Sequence, residues 1–157
     1  ELSPKAVYEI FADRYLHYTP YFDITECHFR QVDGIIASVR LKTSAGGAEQ
    51  TVEAPGNGRL DAVSNALKQY FGIAYQLVTY EEHALSKRSS SKAACYVGLE
   101  ANGKIEWGCG IDEDIIRASI DALVVAVNKL DQIKKGIGTK DGRIGDIEKY
   151  IMGRQKM

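Results

Sequence analysis

One order of elements is written into this chain twice. From residue 22 the hydrophobic pattern reads strand, strand, strand, helix, and from residue 73 the same four signals return in the same order. A short sheet with one apolar face and a helix with one apolar stripe can only be stable by burying each against the other. Two such units predict an α+β domain built from a duplicated βββα motif.

In the first copy, Phe22 to Val32 reads as extended, Asp33-Gly34 is a hairpin signal, and Ile35 to Lys42 answers it with Ile36, Val39 and Leu41. Ala45-Gly46-Gly47 makes a second turn and Gln50 to Ala54 a third strand. Gly56-Asn57-Gly58 then leads into a helix over about Leu60 to Tyr70, with Leu60, Val63, Ala66 and Leu67 at helical spacing. In the second copy, Ile73 to Tyr80 is a strand and Ser86 to Lys92 a polar, Ser-rich loop. Ala93 to Glu100 and Ile105 to Cys109 are strands about the turn Ala101-Asn102-Gly103. Gly110-Ile111-Asp112 precedes a long helix through Leu130, with Ile116, Ile120, Leu123, Val124 and Val127 on one side. The copies echo each other locally: Ala62 to Leu67 matches Ala118 to Leu123, and each follows a Gly-x-Gly, Gly56 to Gly58 and Gly108 to Gly110. The second copy inserts four extra residues there, about one helical turn.

The flanks differ. Ser3-Pro4 suits a helix start, Val7, Ile10, Phe11 and Tyr15 form one apolar stripe, and His17 to Pro20 ends it. Residues 1–20 therefore read as a helical linker from a preceding subdomain, 21–131 as the duplicated domain, and 132–157 as a Gly- and Lys-rich tail, peripheral or partly disordered. The lack of Met at position 1 predicts a piece of a longer polypeptide, and no basic, apolar leader marks a signal peptide.

Composition narrows the function. A net charge of −1 lacks the basic excess of a nucleic-acid binder. No apolar run approaches the roughly 18 residues of a membrane span. Cys27, Cys95 and Cys109 are odd in number and lack CxxC spacing, which suits a reduced, cytoplasmic protein. His17, His28 and His83 are scattered, and no P-loop, GxSxG or dinucleotide fingerprint occurs, so we expect no metal, no cofactor and no catalysis in this chain. Tyr80-Glu81-Glu82-His83-Ala84 is the densest polar cluster, read as the end of a strand with its charges in water. The Gly56 to Gly58 turn is either a tight strand-to-helix connection or a seat for a carboxylate on free N–H groups.

At these residues the chain resembles a known family. Ser3 to Leu16 looks like the junction before the C-terminal domain of long-form 2-isopropylmalate synthases. Gly56-Asn57-Gly58-Arg59-Leu60-Asp61-Ala62 resembles their GNGPxxA turn, with Arg59 in place of Pro and Asp61 where a small residue is common. Tyr80 to Leu85 resembles their Y-x-E-H-A motif, and Ala93 to Val97 their A-A-A-Y-V strand. Trp107 to Asp112, and Ile115 to Ser119 through Val127-Asn128-Lys129-Leu130, resemble their W-G-V-G-I and I-x-x-A-S…A-V-N-R-L segments. The loop Lys87 to Ser91 replaces a more acidic, Gly-containing stretch.

The resemblance implies a leucine-sensing, dimerising regulatory domain. The catalytic barrel of the same polypeptide would condense acetyl-CoA with 2-oxoisovalerate using a divalent metal, the first committed step of leucine biosynthesis. It places leucine among Gly56, Asn57, Gly58, Leu60, Asp61, Leu77, Tyr80, Ala84, Ser91 and Ala93. The alternatives are an isoleucine-sensing domain resembling that of citramalate synthase, and a dimerisation module without a ligand.

Overall fold

The computed structural model describes residues 20–85 and 92–134, which form two compact units. One holds residues 21–74 with 128–134, the other residues 75–127 with Pro20. The expected leader helix, the Ser-rich loop and the tail beyond residue 134 lie outside the described residues.

The first unit is an antiparallel sheet of β1 (Phe22–Gln31), β2 (Ile35–Thr43) and β3 (Gln50–Gly56), in that order, followed by helix α1 (Arg59–Phe71). The second repeats it with β4 (Gln76–Ala84), β5 (Ala93–Ala101), β6 (Lys104–Asp112) and helix α2 (Ile115–Asn128). The duplicated βββα reading therefore holds. Both hairpin signals work through left-handed backbone: Asp33 and Gly34 have φ of 49° and 119°, Asn102 and Gly103 53° and 78°. Gly72 ends α1 with φ 63°, its N–H reaching the Lys68 carbonyl.

Each unit buries one sheet face under its own helix. In the first, Phe22, Ile24, Val39, Leu41, Val63, Leu67 and Phe71 are all at most 2% exposed, and the Phe22 and Phe71 rings stand 4.7 Å apart. In the second, Val97 and Leu99 on the central strand and Ala118, Ala122, Leu123 and Ala126 on α2 are fully buried. The contact is close because it is made through glycine. A Cβ on Gly108 would overlap the Ala122 carbonyl oxygen and lie 2.6 Å from Ala126 N. One on Gly110 would overlap the Ala118 carbonyl oxygen and lie 2.7 Å from Ala122 N. In the first unit Gly56 plays this part: a Cβ there would lie 2.6 Å from Ala62 Cα.

The structure moves some expected boundaries. The strand expected from Ile73 begins at Gln76 and runs on to Ala84. Ala74 cannot join a ladder, since its N–H and carbonyl are both taken by the side-chain amide of Gln132, at 3.2 and 3.0 Å. The motif Tyr80 to Ala84 therefore occupies the second half of a strand nine residues long. The helix expected through Leu130 stops at Asn128, and a separate turn, α3 (Asp131–Lys134), follows. Asn128 is 1% exposed and groups with residues 21–74. Its Oδ1 accepts from the N–H groups of Tyr21 (2.8 Å) and Phe22 (3.1 Å), and its Nδ2 donates to the Phe22 carbonyl (3.0 Å). A buried amide meeting three main-chain groups fixes where β1 starts.

The glycine contacts give a direct test. Gly108→Ala should lower stability by about 1–3 kcal/mol or more, since the methyl group meets helix backbone that cannot step aside. Gly58→Ala, where a Cβ would meet nothing within 4 Å, should stay within about 1 kcal/mol of wild type. Urea unfolding midpoints of the two variants decide it, and equal midpoints would refute the close-approach account.

Candidate functional site

Five of the residues expected at a ligand site fall on the β3–α1 turn of the first unit. Gly56 ends β3, Asn57 and Gly58 make the turn, and Leu60 and Asp61 lie in the first turn of α1. Gly58 is the N-cap with φ −144° and ψ 180°, an extended conformation open to any residue. The two glycines therefore differ: Gly56 is needed for close approach, whereas Gly58 carries no strain. As N-cap, Gly58 brings no side chain to the helix, and its carbonyl accepts the first helical bond, from Ala62 N at 2.9 Å. Asp61 turns back, and its Oδ2 accepts the Asn57 N–H at 2.8 Å. A carboxylate thus already faces this turn, which sequence spacing alone did not reveal. Arg59, the first residue of α1, holds its guanidinium 5.7 Å from the centre of the Phe29 ring.

The duplicate helix is finished differently. Asp114 precedes α2, and its Oδ1 accepts the Ile116 N–H at 2.9 Å. Asp112 in turn accepts from the Asp114 N–H at 2.8 Å. The second helix carries its own capping carboxylate; the first has a glycine there.

Four further expected residues fall in the second unit, on one face of the β4–β5 pair. Ala84 is the cross-strand partner of Ala93, Tyr80 of Val97 and Leu77 of Leu99, with a bulge between Leu77 and Thr79. This is the face that α2 covers, since Cys95 and Val97 pair with Gly110 and Gly108. Ser91 lies outside the described residues.

Tyr80 is tied down on that face. Its hydroxyl donates to Glu82 Oε2 at 3.0 Å and stands 3.7 Å from Cys95 Sγ, and Cys95 reaches the Ile115 carbonyl at 3.8 Å. Burial, then the hydrogen bond and charge of Cys95, then those of Glu82, push the Tyr80 hydroxyl well above the ordinary tyrosine range. Burial also pushes the Cys95 thiol up, against a smaller lowering by the Tyr80 hydrogen bond, so it stays protonated and a poor nucleophile. Glu82 is thus a hydrogen-bond partner of Tyr80 as well as an exposed charge. The sequence showed both residues at alternating strand positions, but not the hydrogen bond between them. Among the described residues no group of three or more His, Cys, Asp or Glu is arranged to hold a metal ion. No helix among them is long and apolar enough to cross a membrane.

A family model described as the LeuA allosteric (dimerisation) domain matches residues 1–131. The chain is 35% identical over 142 residues to the 2-isopropylmalate synthase of Helicobacter hepaticus, covering 83% of the chain and 25% of that protein. It is 38% identical over 131 residues to that of Desulfitobacterium hafniense, covering 83% and 23%, and 37% identical over 131 residues to that of Corynebacterium glutamicum, covering 82% and 21%. The chain spans about a quarter of the length of these curated relatives.

The tyrosines set an alkaline limit. Burial, then the charges of Cys109, Cys95 and Glu81, push the Tyr96 hydroxyl up to about 12. A folded-state value above the unfolded one of about 10 means its contribution is whole below pH 10 and is lost as pH rises toward 12. Tyr80 acts in the same sense. Thermal unfolding followed from pH 9 to 12 should show a falling midpoint, and Tyr96→Phe should flatten the fall. An unchanged slope in the variant would remove Tyr96 from the account.

Proposed function

The chain belongs to the LeuA allosteric (dimerisation) domain family, and from that premise we propose that it is the leucine-sensing, dimerising regulatory domain of a 2-isopropylmalate synthase. The parent would be a cytoplasmic acyltransferase that joins acetyl-CoA to 2-oxoisovalerate at a divalent metal in its catalytic barrel. The chain itself would bind leucine, pair with a second copy, and carry feedback inhibition without catalysing anything. The match over residues 1–131 carries this reading.

The β3–α1 turn supports a seat for the effector's carboxylate. A helix start exposes N–H groups and the positive end of the helix dipole, together a ready anion site. In α2 the Asp114 carboxylate takes that position, whereas in α1 the N-cap is Gly58 and brings no side chain. Leucine is zwitterionic, and the Asp61 carboxylate beside the turn suits its ammonium group. Discrimination between leucine and isoleucine would rest on the placement of one methyl group, worth about 1–3 kcal/mol.

Calorimetric titration of the chain with leucine and with isoleucine tests the reading. We expect leucine to bind more tightly. A preference for isoleucine would point to the sensing domain of a citramalate synthase, and no heat from either to a dimerisation module alone. Light scattering at micromolar concentration should give the mass of a dimer; a monomer would contradict the pairing.

Gly58→Asp refines the test. Because Gly58 is extended and unobstructed, Asp fits there, and as a preferred N-cap it should change stability by no more than about 1 kcal/mol. Its carboxylate would take the place of the ligand's and repel it by roughly 1 to 4 kcal/mol at about 4 Å, depending on the local dielectric. The variant should fold, keep its melting temperature, and lose leucine binding. Wild-type binding by this variant would move the effector away from the turn.

A further inference from the structure

The chain passes between its two units at Pro20–Tyr21, Ala74–Tyr75 and Val127–Asn128, and one short segment holds the first unit's side of all three crossings. Tyr21 opens the first unit, and the Asn128 side chain accepts its N–H from 107 residues away. The same amide accepts from the Phe22 N–H and donates to the Phe22 carbonyl. Ala74 leaves the unit, and the Gln132 amide takes both of its main-chain groups. Asn128 is itself the residue on which the chain returns. Two side-chain amides, four positions apart, thus tie the entrance and the exit of the first unit to its closing segment.

The segment is anchored as well as bonded. Leu130 and Ile133 are buried between and beside the two amides, and the N–H groups of Ile133 and Lys134 both reach the Leu130 carbonyl at 3.0 Å. Helix α2 turns this fastening into a link. It is one continuous helix from Ile115 to Asn128, yet it belongs to the second unit through Val127 and to the first from Asn128 onward. Its earlier turns have no slack, because Ala118, Ala122 and Ala126 lie against Gly110 and Gly108 with no room for a methyl group. The duplicate helix does none of this: α1 stops on the left-handed Gly72, whereas α2 runs on into Leu130 without a glycine.

We propose that residues 128–134 are a clasp that makes the two repeats fold and unfold together. The first unit opens only by releasing Asn128 and Gln132, and that release leaves a buried amide without its partners and frees the end of α2. The coupling runs through the continuous helix and the hydrogen bonds at its end. An effector seated at the β3–α1 turn, as proposed above, would through this clasp stabilise residues 75–127 too, by favouring the folded first unit. The clasp itself does not depend on that reading, and its test uses no ligand.

Trp107 is the only tryptophan of the chain, so in the full chain its fluorescence follows the second unit alone. Hydrogen exchange of the α1 amides, read by mass spectrometry across a urea series, follows the first. With the clasp intact the two readouts should share one midpoint. Leu67→Ala, a cavity in the first unit outside the clasp, should lower both midpoints equally. Asn128→Ala should separate them: losing its bonds to Tyr21 and Phe22 should bring the α1 midpoint down by about 1 M urea, while that of Trp107 stays. Gln132→Ala, a milder change at a half-buried site, should separate them in the same direction, and Lys134→Ala, exposed at the end of the segment, should not. Separate midpoints in the wild type would overturn the clasp. So would a Leu67→Ala effect confined to α1, or midpoints that stay together in Gln132→Ala.

Discussion

Backbone-to-backbone approach between helix and strand is the constraint on which each unit rests. Gly108 and Gly110 lie against Ala118, Ala122 and Ala126 of α2, and Gly56 against Ala62 of α1, at separations that leave no room for a methyl group. Once the backbones are that close, the alanines are sealed from water and the larger side chains on either side interlock around them. Phe22, Leu41, Leu67 and Phe71 do so in the first unit, Val97, Leu99 and Leu123 in the second. The same closeness brings β3 directly into the α1 N-terminus, so the turn proposed for the effector is a by-product of the packing.

The two copies have kept their framework and diverged in their details. One helix starts on Asp114, the other on Gly58. One outer sheet face is a lattice of exposed ion pairs, each worth little in stability but well suited to water. The other is aromatic and aliphatic about Tyr96 and Trp107, with Thr79, Glu81 and Glu100 on the same face. A duplicated unit begins with equal faces, and these differences arose after the duplication. Asn128 shows how tightly such roles can be held: it ends α2 in the second repeat, yet its amide sets the start of β1 in the first unit.

Parts of the candidate site were legible from residue types. Gly56-Asn57-Gly58 between a strand and a helix can only be a tight turn with N–H groups near it, and that is what it is. Tyr80 and Glu82 were visible as a cluster, but reading their charges as a strand end in water missed the hydrogen bond between them. The start of β4 is a different matter: Gln132, 58 residues away, occupies Ala74, and no local pattern carries a contact of that range. That Gly56 is held to a close approach while Gly58 stands in open space could not be read either, because identical glycines differ only in what their missing Cβ atoms would meet.

The sequence by itself determined the duplicated order of strands and helices, both hairpins and the apolar face of each helix. These follow from periodicity and turn chemistry, which act over a few residues. Tertiary structure alone decided which glycine is indispensable, which carboxylate caps which turn, and where β4 begins. Those depend on groups brought together from distant parts of the chain, whose desolvation and contact distances exist only once it has folded.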